Sequence, residues 1–170
     1  MKVYNFSTIF HMLGLLLLFN ATAMYICSVL SASEDDGAMN GLLLSAFITT
    51  GVAIVTLVVT RNRKREIRKR DGYLTVVLGW LSMVLFGTLP YLLTGALQNY
   101  SDALFETMSG FTATGATIIQ DIEALPKSII LWRSLTHWLG GMGIIVLAVA
   151  ILPLLGIGGV QLFSAEATGV

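Results

Sequence analysis

The sequence predicts an all-α integral membrane fold, a transmembrane helical hairpin followed by one helix–pore-loop–helix repeat. Three observations lead there. The 170 residues are 55% hydrophobic and only 12% charged, with a mean hydropathy of +0.81, whereas a soluble domain carries about 25% charged residues. The apolar residues gather into four long runs. Between the third and fourth lies a half-apolar segment too short to span a bilayer, followed by a turn rich in Thr, Ala and Gly.

The four runs are 9–30, 41–60, 73–97 and 138–164, of 22, 20, 25 and 27 residues, and none contains Asp, Glu, Lys or Arg. A core of about 30 Å is crossed by roughly 20 residues at ~1.5 Å each, and in hydrocarbon the backbone must bond to itself, so each run predicts a helix. The first run follows Lys2 and precedes Ser31-Ala32-Ser33, which has the look of a signal peptide. It is longer than the roughly 7–15 residues of a signal core and is expected to be a retained helix. Cys27, the one cysteine, has no partner for an internal disulfide and reads as a small apolar filler.

Net charge is zero, but its distribution is not even. Seven of the ten basic residues fall between Arg61 and Arg70, and Glu34, Asp35 and Asp36 form an acidic loop. A basic cluster between two spans reads as a cytoplasmic loop. The N-terminus is then expected inside and the acidic loop outside. A nucleic-acid partner is not expected. The expected units are 1–72, the hairpin with its basic loop, and 73–170, the repeat. The repeat divides into an outer helix 73–97, a pore helix 101–110, a loop 111–117 and an inner helix 131–160.

The short segment carries the chemistry. Ser101 and Asp102 suit a helix start and Gly110 a helix end. The turn that follows is Phe111-Thr112-Ala113-Thr114-Gly115-Ala116-Thr117. A cation that leaves water must recover its hydration shell from oxygen ligands, and pores supply them as backbone carbonyls. Glycine permits the dihedrals this needs, and small side chains let strands approach. The C-terminal end of the short helix would turn its negative dipole end toward the ion. By spacing alone, an ordinary outer loop after an interfacial helix is the competing reading.

Residues 105–117, Phe-Glu-Thr-Met-Ser-Gly-Phe-Thr-Ala-Thr-Gly-Ala-Thr, resemble the first pore-helix and filter segment of the Trk/Ktr/HKT potassium-transporter family. Residues 132–143, Trp-Arg-Ser-Leu-Thr-His-Trp-Leu-Gly-Gly-Met-Gly, resemble the start of the helix that follows it. The likeness is greatest to bacterial Trk-type pore subunits, whose extra N-terminal helix pair residues 1–60 are similar to. The resemblance implies four repeats around one pore, so that a chain with one repeat is expected to be the N-terminal part of a longer protein. It implies potassium uptake across the bacterial inner membrane, with Thr112, Ala113, Thr114, Gly115, Ala116 and Thr117 as one of four filter segments. Carbonyls at Thr114 and Gly115 would hold the potassium ion. It further implies a homodimer and a cytoplasmic ring of nucleotide-binding subunits. Gly115 stands where some plant relatives with a Ser carry sodium, which implies potassium preference.

Glu106, one turn into the short helix, is expected to hydrogen-bond behind the filter, and Asp102 to be a helix-start charge. Arg133 and His137 share a helix face and are expected at the membrane interface, beside an aromatic belt formed by Trp132 and Trp138. His11 is read as interfacial too. The glycines of the last run, with Pro153, read as helix packing. No acid–base–nucleophile set or metal-ligand spacing is present, so an enzyme is not expected. The other functional reading is a non-conducting membrane module that recruits partners or lipid through the basic loop and the glycine-rich helix.

Overall fold

The structure is a computed structural model that describes residues 5–62 and 69–154, with side chains of the last helix described to residue 145. Most of the basic cluster and residues 155–164 of the fourth apolar run lie outside the described residues. Among the described residues six helices follow in order: α1 Phe6–Glu34, α2 Met39–Val59, α3 Lys69–Gly87, α4 Leu89–Leu93, α5 Tyr100–Phe111 and α6 Lys127–Leu154. Among the described residues three spans, Phe6–Glu34, Met39–Val59 and Asp71–Leu93, are long and apolar enough to cross a membrane.

The third apolar run, expected as one helix over 73–97, is broken between α3 and α4. Pro90 has no N–H to give the carbonyl four residues back, and its ring crowds that position. The helix therefore stops at Gly87 and restarts at Leu89. It ends for good at Leu93, where Gly95 turns the chain with φ +76°. The last helix begins at Lys127, four residues ahead of the expected 131. Hydropathy marks where a helix meets lipid, and the first turn of α6 instead carries Lys127 and Ser128 outside the apolar run.

α1 packs along α2 and also touches α3 and α6, while α5 lies against α6 and α3. One core crosses all of them, with Met24, Cys27 and Leu42 of the hairpin meeting Tyr91, Phe111, Ile129 and Trp132. Specific polar links cross it. Asn20, fully buried in α1, donates from Nδ2 to the Met83 carbonyl of α3 at 3.3 Å. Asp71, buried in the first turn of α3, accepts the Asn5 N–H at the start of α1 at 3.1 Å. His11 Nδ1 lies 3.0 Å from Thr60 Oγ1, which joins α1 to the end of α2. Most of α2 shows its apolar side outward, with Phe47, Val55, Val58 and Val59 more than half exposed.

The hairpin also clamps the start of α6. Asp36 Oδ2 accepts the Ser128 N–H at 2.9 Å, while its other oxygen accepts from Ser31 Oγ and from the Ala38 N–H at 3.2 Å. Asp36 thus serves as a helix cap donated by another segment, supplying one of the acceptors that a helix N-terminus lacks. Burial would push its pKa up, but the hydrogen bonds from Ser31, Ser128 and Ala38 outweigh that and hold it at about 2. Lys127 Nζ reaches Glu34 Oε2 at 2.6 Å beside it. The acidic loop is not a bare outer surface.

Candidate functional site

α5 presents two faces. Ala103, Glu106, Thr107 and Gly110, spaced as one helical stripe, are buried, whereas Phe105 and Met108 on the other side are 48% and 40% exposed. Glycines set how closely the stripe docks. A Cβ on Gly110 would stand 2.2 Å from Thr136 Oγ1, and one on Gly140 would stand 2.2 Å from the Phe111 carbonyl oxygen. On the other flank a Cβ on Gly87 would meet Thr107 at 2.8 Å and Phe111 at 2.9 Å. The end of α5 is therefore wedged between α3 and α6 at contacts only glycine allows. Phe111 closes the wedge edge-on against Trp80, with centroids 6.4 Å apart.

After Phe111 the chain doubles back along α5. Ala113 N–H donates to the Gly110 carbonyl at 2.9 Å and Thr114 N–H to the Ser109 carbonyl at 3.0 Å, which makes the turn. Ser109 Oγ then donates to the Ala116 carbonyl at 2.5 Å. Further on, Thr117 Oγ1 and the Ile118 N–H reach Glu106 Oε2 at 3.0 and 3.2 Å. Residue numbers rise on the loop as they fall on the helix, 116 facing 109 and 117–118 facing 106. This is a helix followed by a loop segment returning beside it. Two left-handed residues accommodate the reversal, Ala113 at φ +55° and Gly115 at φ +78°.

The backbone of the turn carries unspent acceptors. Among the described residues no donor reaches the carbonyls of Thr112, Ala113, Thr114, Gly115 or Thr117, and residues 112–118 are all exposed. Ala116 differs from the other five sequence-derived candidates, because its carbonyl is taken by Ser109. That bond ties the loop to α5. Thr112 Oγ1 donates back to the Met108 carbonyl at 2.8 Å, so in the 2.7 Å contact between the two hydroxyls Thr114 is the donor. An added Cβ on Gly115 would meet nothing within 4 Å. Its dihedral, not its surroundings, is what asks for glycine.

Glu106 is fully buried and accepts three donors: Arg133 Nε on Oε1 at 2.6 Å, the Thr117 hydroxyl shared between both oxygens, and the Ile118 N–H. Thr117 Oγ1 in turn accepts the Ile119 N–H at 3.1 Å. Arg133 is only 18% exposed, packed toward Glu106. His137 stays on Arg133's own helix, its Nδ1 donating to the Arg133 carbonyl at 2.9 Å. The aromatic belt is corrected. Trp132 is fully buried and donates from Nε1 to the Gly87 carbonyl at 3.3 Å, at the break between α3 and α4. Trp138 alone of the two is exposed, at 57%. Asp102 sits in the first turn of α5 and accepts from Asn99 Nδ2 at 2.9 Å. The Arg133–Glu106 pairing had a signal in the sequence. A lone base and a lone acid in apolar segments each need a partner at depth. The roles of Ser109, Ala113 and Asp36 depend on how the chain turns and carry no such mark.

The fold and the loop define a multi-pass α-helical membrane protein with a short helix set into its packed core and a loop that doubles back along it. Residues 42–169 match the TrkH family, described as a cation transport protein. The Trk system potassium uptake protein TrkH of Halomonas elongata is 43% identical over 162 residues, 95% of this chain and 34% of that protein. The protein of the same name in Escherichia coli K12 is 38% identical over 97% of this chain and 34% of its own length. The crystal structure of the potassium transporter TrkH from Vibrio parahaemolyticus superposes with a TM-score of 0.85 at 38% identity, covering 98% of this chain and 36% of that one. The chain belongs to the TrkH family, a family of transporters and not of enzymes. It spans about a third of the length of the curated relatives it matches.

Proposed function

We propose that this chain is the N-terminal portion of a potassium-uptake transporter of the bacterial inner membrane, and that residues 112–117 form one of four filter segments. The observation that carries the reading is the run of carbonyls from Thr112 to Gly115 with no donor among the described residues, on a turn folded back against a short helix. Unpaired carbonyls are costly inside a membrane unless they line a water-filled path or hold an ion. Potassium is the transported substrate in this reading, and Thr114 and Gly115 offer it carbonyl oxygens. Glu106 and the Ser109 hydroxyl hold the loop from behind. The N-terminus and the basic loop lie in the cytoplasm, as the cluster 61–70 favours. Resemblance supports a homodimer of the complete chain and a cytoplasmic nucleotide-binding ring.

The test is the potassium-to-sodium flux ratio of the assembled transporter in proteoliposomes. A side chain at φ +78° is strained by about 1–3 kcal/mol, and 1.4 kcal/mol of differential binding is tenfold in selectivity. Gly115→Ser is expected to lower the ratio about tenfold at normal expression. An unchanged ratio in both Gly115→Ser and Gly115→Ala would remove the loop from selectivity and favour the non-conducting membrane module.

A further inference from the structure

Among the described charged side chains of the α5–α6 unit, Glu106 alone is fully buried, and the group that meets its charge is Arg133. Their contact is the first link of a chain. Arg133 Nε donates to Glu106 Oε1, Glu106 accepts Thr117 Oγ1 and the Ile118 N–H, and Thr117 Oγ1 accepts the Ile119 N–H. Arg133 is itself fixed in register. It stands three residues before Thr136, the residue against which Gly110 of α5 packs. Thr136 Oγ1 donates to the Arg133 carbonyl at 2.7 Å.

Without its counter-charge a buried carboxylate is strongly disfavoured. Left without that partner, the carboxylate would turn toward water and give up an acceptor that now holds Thr117 and Ile118. If it kept its position, it would add an unpaired negative field beside the loop. Such a field attracts any monovalent cation and does not sort ions by size, whereas carbonyl placement does. We infer that Arg133 is a specificity-determining positioning residue. By holding the Glu106 carboxylate in place, it fixes the returning end of the loop and sharpens the preference of 112–117 for potassium over sodium. This inference rests on the filter reading above.

The experiment measures the rubidium-to-sodium flux ratio of the assembled transporter, per unit of reconstituted protein, for Arg133→Gln, Arg133→Lys, Glu106→Gln, Glu106→Gln with Arg133→Gln, and Gly115→Ser. Arg133→Gln is expected to lower the ratio about tenfold. Arg133→Lys keeps the charge on a shorter reach and is expected to lower it about threefold. Because Arg133 acts through Glu106, the double variant should fall no further than Glu106→Gln alone. A ratio unchanged in Arg133→Gln while Gly115→Ser lowers it overturns the role of Arg133 and leaves the filter reading standing. Ratios unchanged in Arg133→Gln and in Gly115→Ser sink both. Additive losses in the double variant overturn the route through Glu106. Should Arg133→Gln fail to accumulate, Arg133→Lys decides: a graded loss upholds the inference, and a wild-type ratio overturns it.

Discussion

Replacing Gly140 by Ala probes the wedge that positions the loop. The new Cβ would stand 2.2 Å from the Phe111 carbonyl oxygen, 2.6 Å from its carbon and 2.8 Å from its Cα. A carbon beside a carbonyl oxygen needs about 3.3 Å, so the shortfall is about 1 Å. It falls on backbone, where no rotamer change can relieve it. α5 cannot simply tilt away, because its other flank already meets Gly87 of α3. Overpacking of this kind costs typically 1–3 kcal/mol. Gly141 is the control. No atom of the described residues lies within 4 Å of its Cβ, and Gly to Ala in a helix interior gains up to about 1 kcal/mol. Thermal unfolding of the purified transporter in detergent should show a clearly lowered midpoint for Gly140→Ala and an unchanged or raised one for Gly141→Ala. Equal midpoints in the two variants would refute the close approach of α6 to Phe111. The displacement begins at the residue before the turn, so the potassium-to-sodium ratio should fall in Gly140→Ala and hold in Gly141→Ala.

Asp36 has its pKa lowered from 3.8 to about 2, so its contribution is fully present above pH ~4 and is lost as pH falls through about 2. The thermal midpoint of the wild type should therefore drop between pH 4 and 2, and Asp36→Asn should start lower and flatten that drop; parallel curves would exclude the trans cap. Lys127→Ala, which breaks an ion pair 69% exposed on the lysine side, should leave the midpoint unchanged, since such pairs contribute little. Ala113→Gly relieves a left-handed alanine and should raise stability by about 1 kcal/mol; a fall would show that φ at 113 is not positive.

How far the sequence could be read depended on what each feature was made of. The helices of the hairpin were plain because uninterrupted apolar runs of 20 residues or more have few alternatives in lipid. Their ends were less plain, since α1 runs on through polar residues to Glu34 and α6 starts four residues early. The break at residue 88 was signalled by Pro90 but hidden by the continuity of the apolar run. The short helix could be placed from its length and flanking residues. What could not be read was which carbonyls the turn would spend. Ser109 and Ala116 are seven apart and meet only because the chain reverses between them. Trp132 was assigned to the interface by residue type, yet the broken helix beside it offers the Gly87 carbonyl as an acceptor for its indole. Residue type gave the common placement and the local backbone gave the actual one.

The position of the loop is measured from α6. That helix meets the rest of the chain at fixed points along one side: its N-terminus on Asp36, Trp132 on Gly87, Arg133 on Glu106, Thr136 at Gly110, and Gly140 at Phe111. From Ser128 to Gly140 is twelve residues, about 18 Å of helix at ~1.5 Å per residue. Over that length five contacts leave α6 little freedom to slide or turn against α5. Each contact depends on its axial register. A shift of one residue, about 1.5 Å, would break the 2.6 Å Arg133–Glu106 contact and the 2.9 Å Asp36 cap together. The hairpin is thus more than an added pair of spans. Its acidic loop fixes the start of the helix from which the carboxylate behind the turn is held.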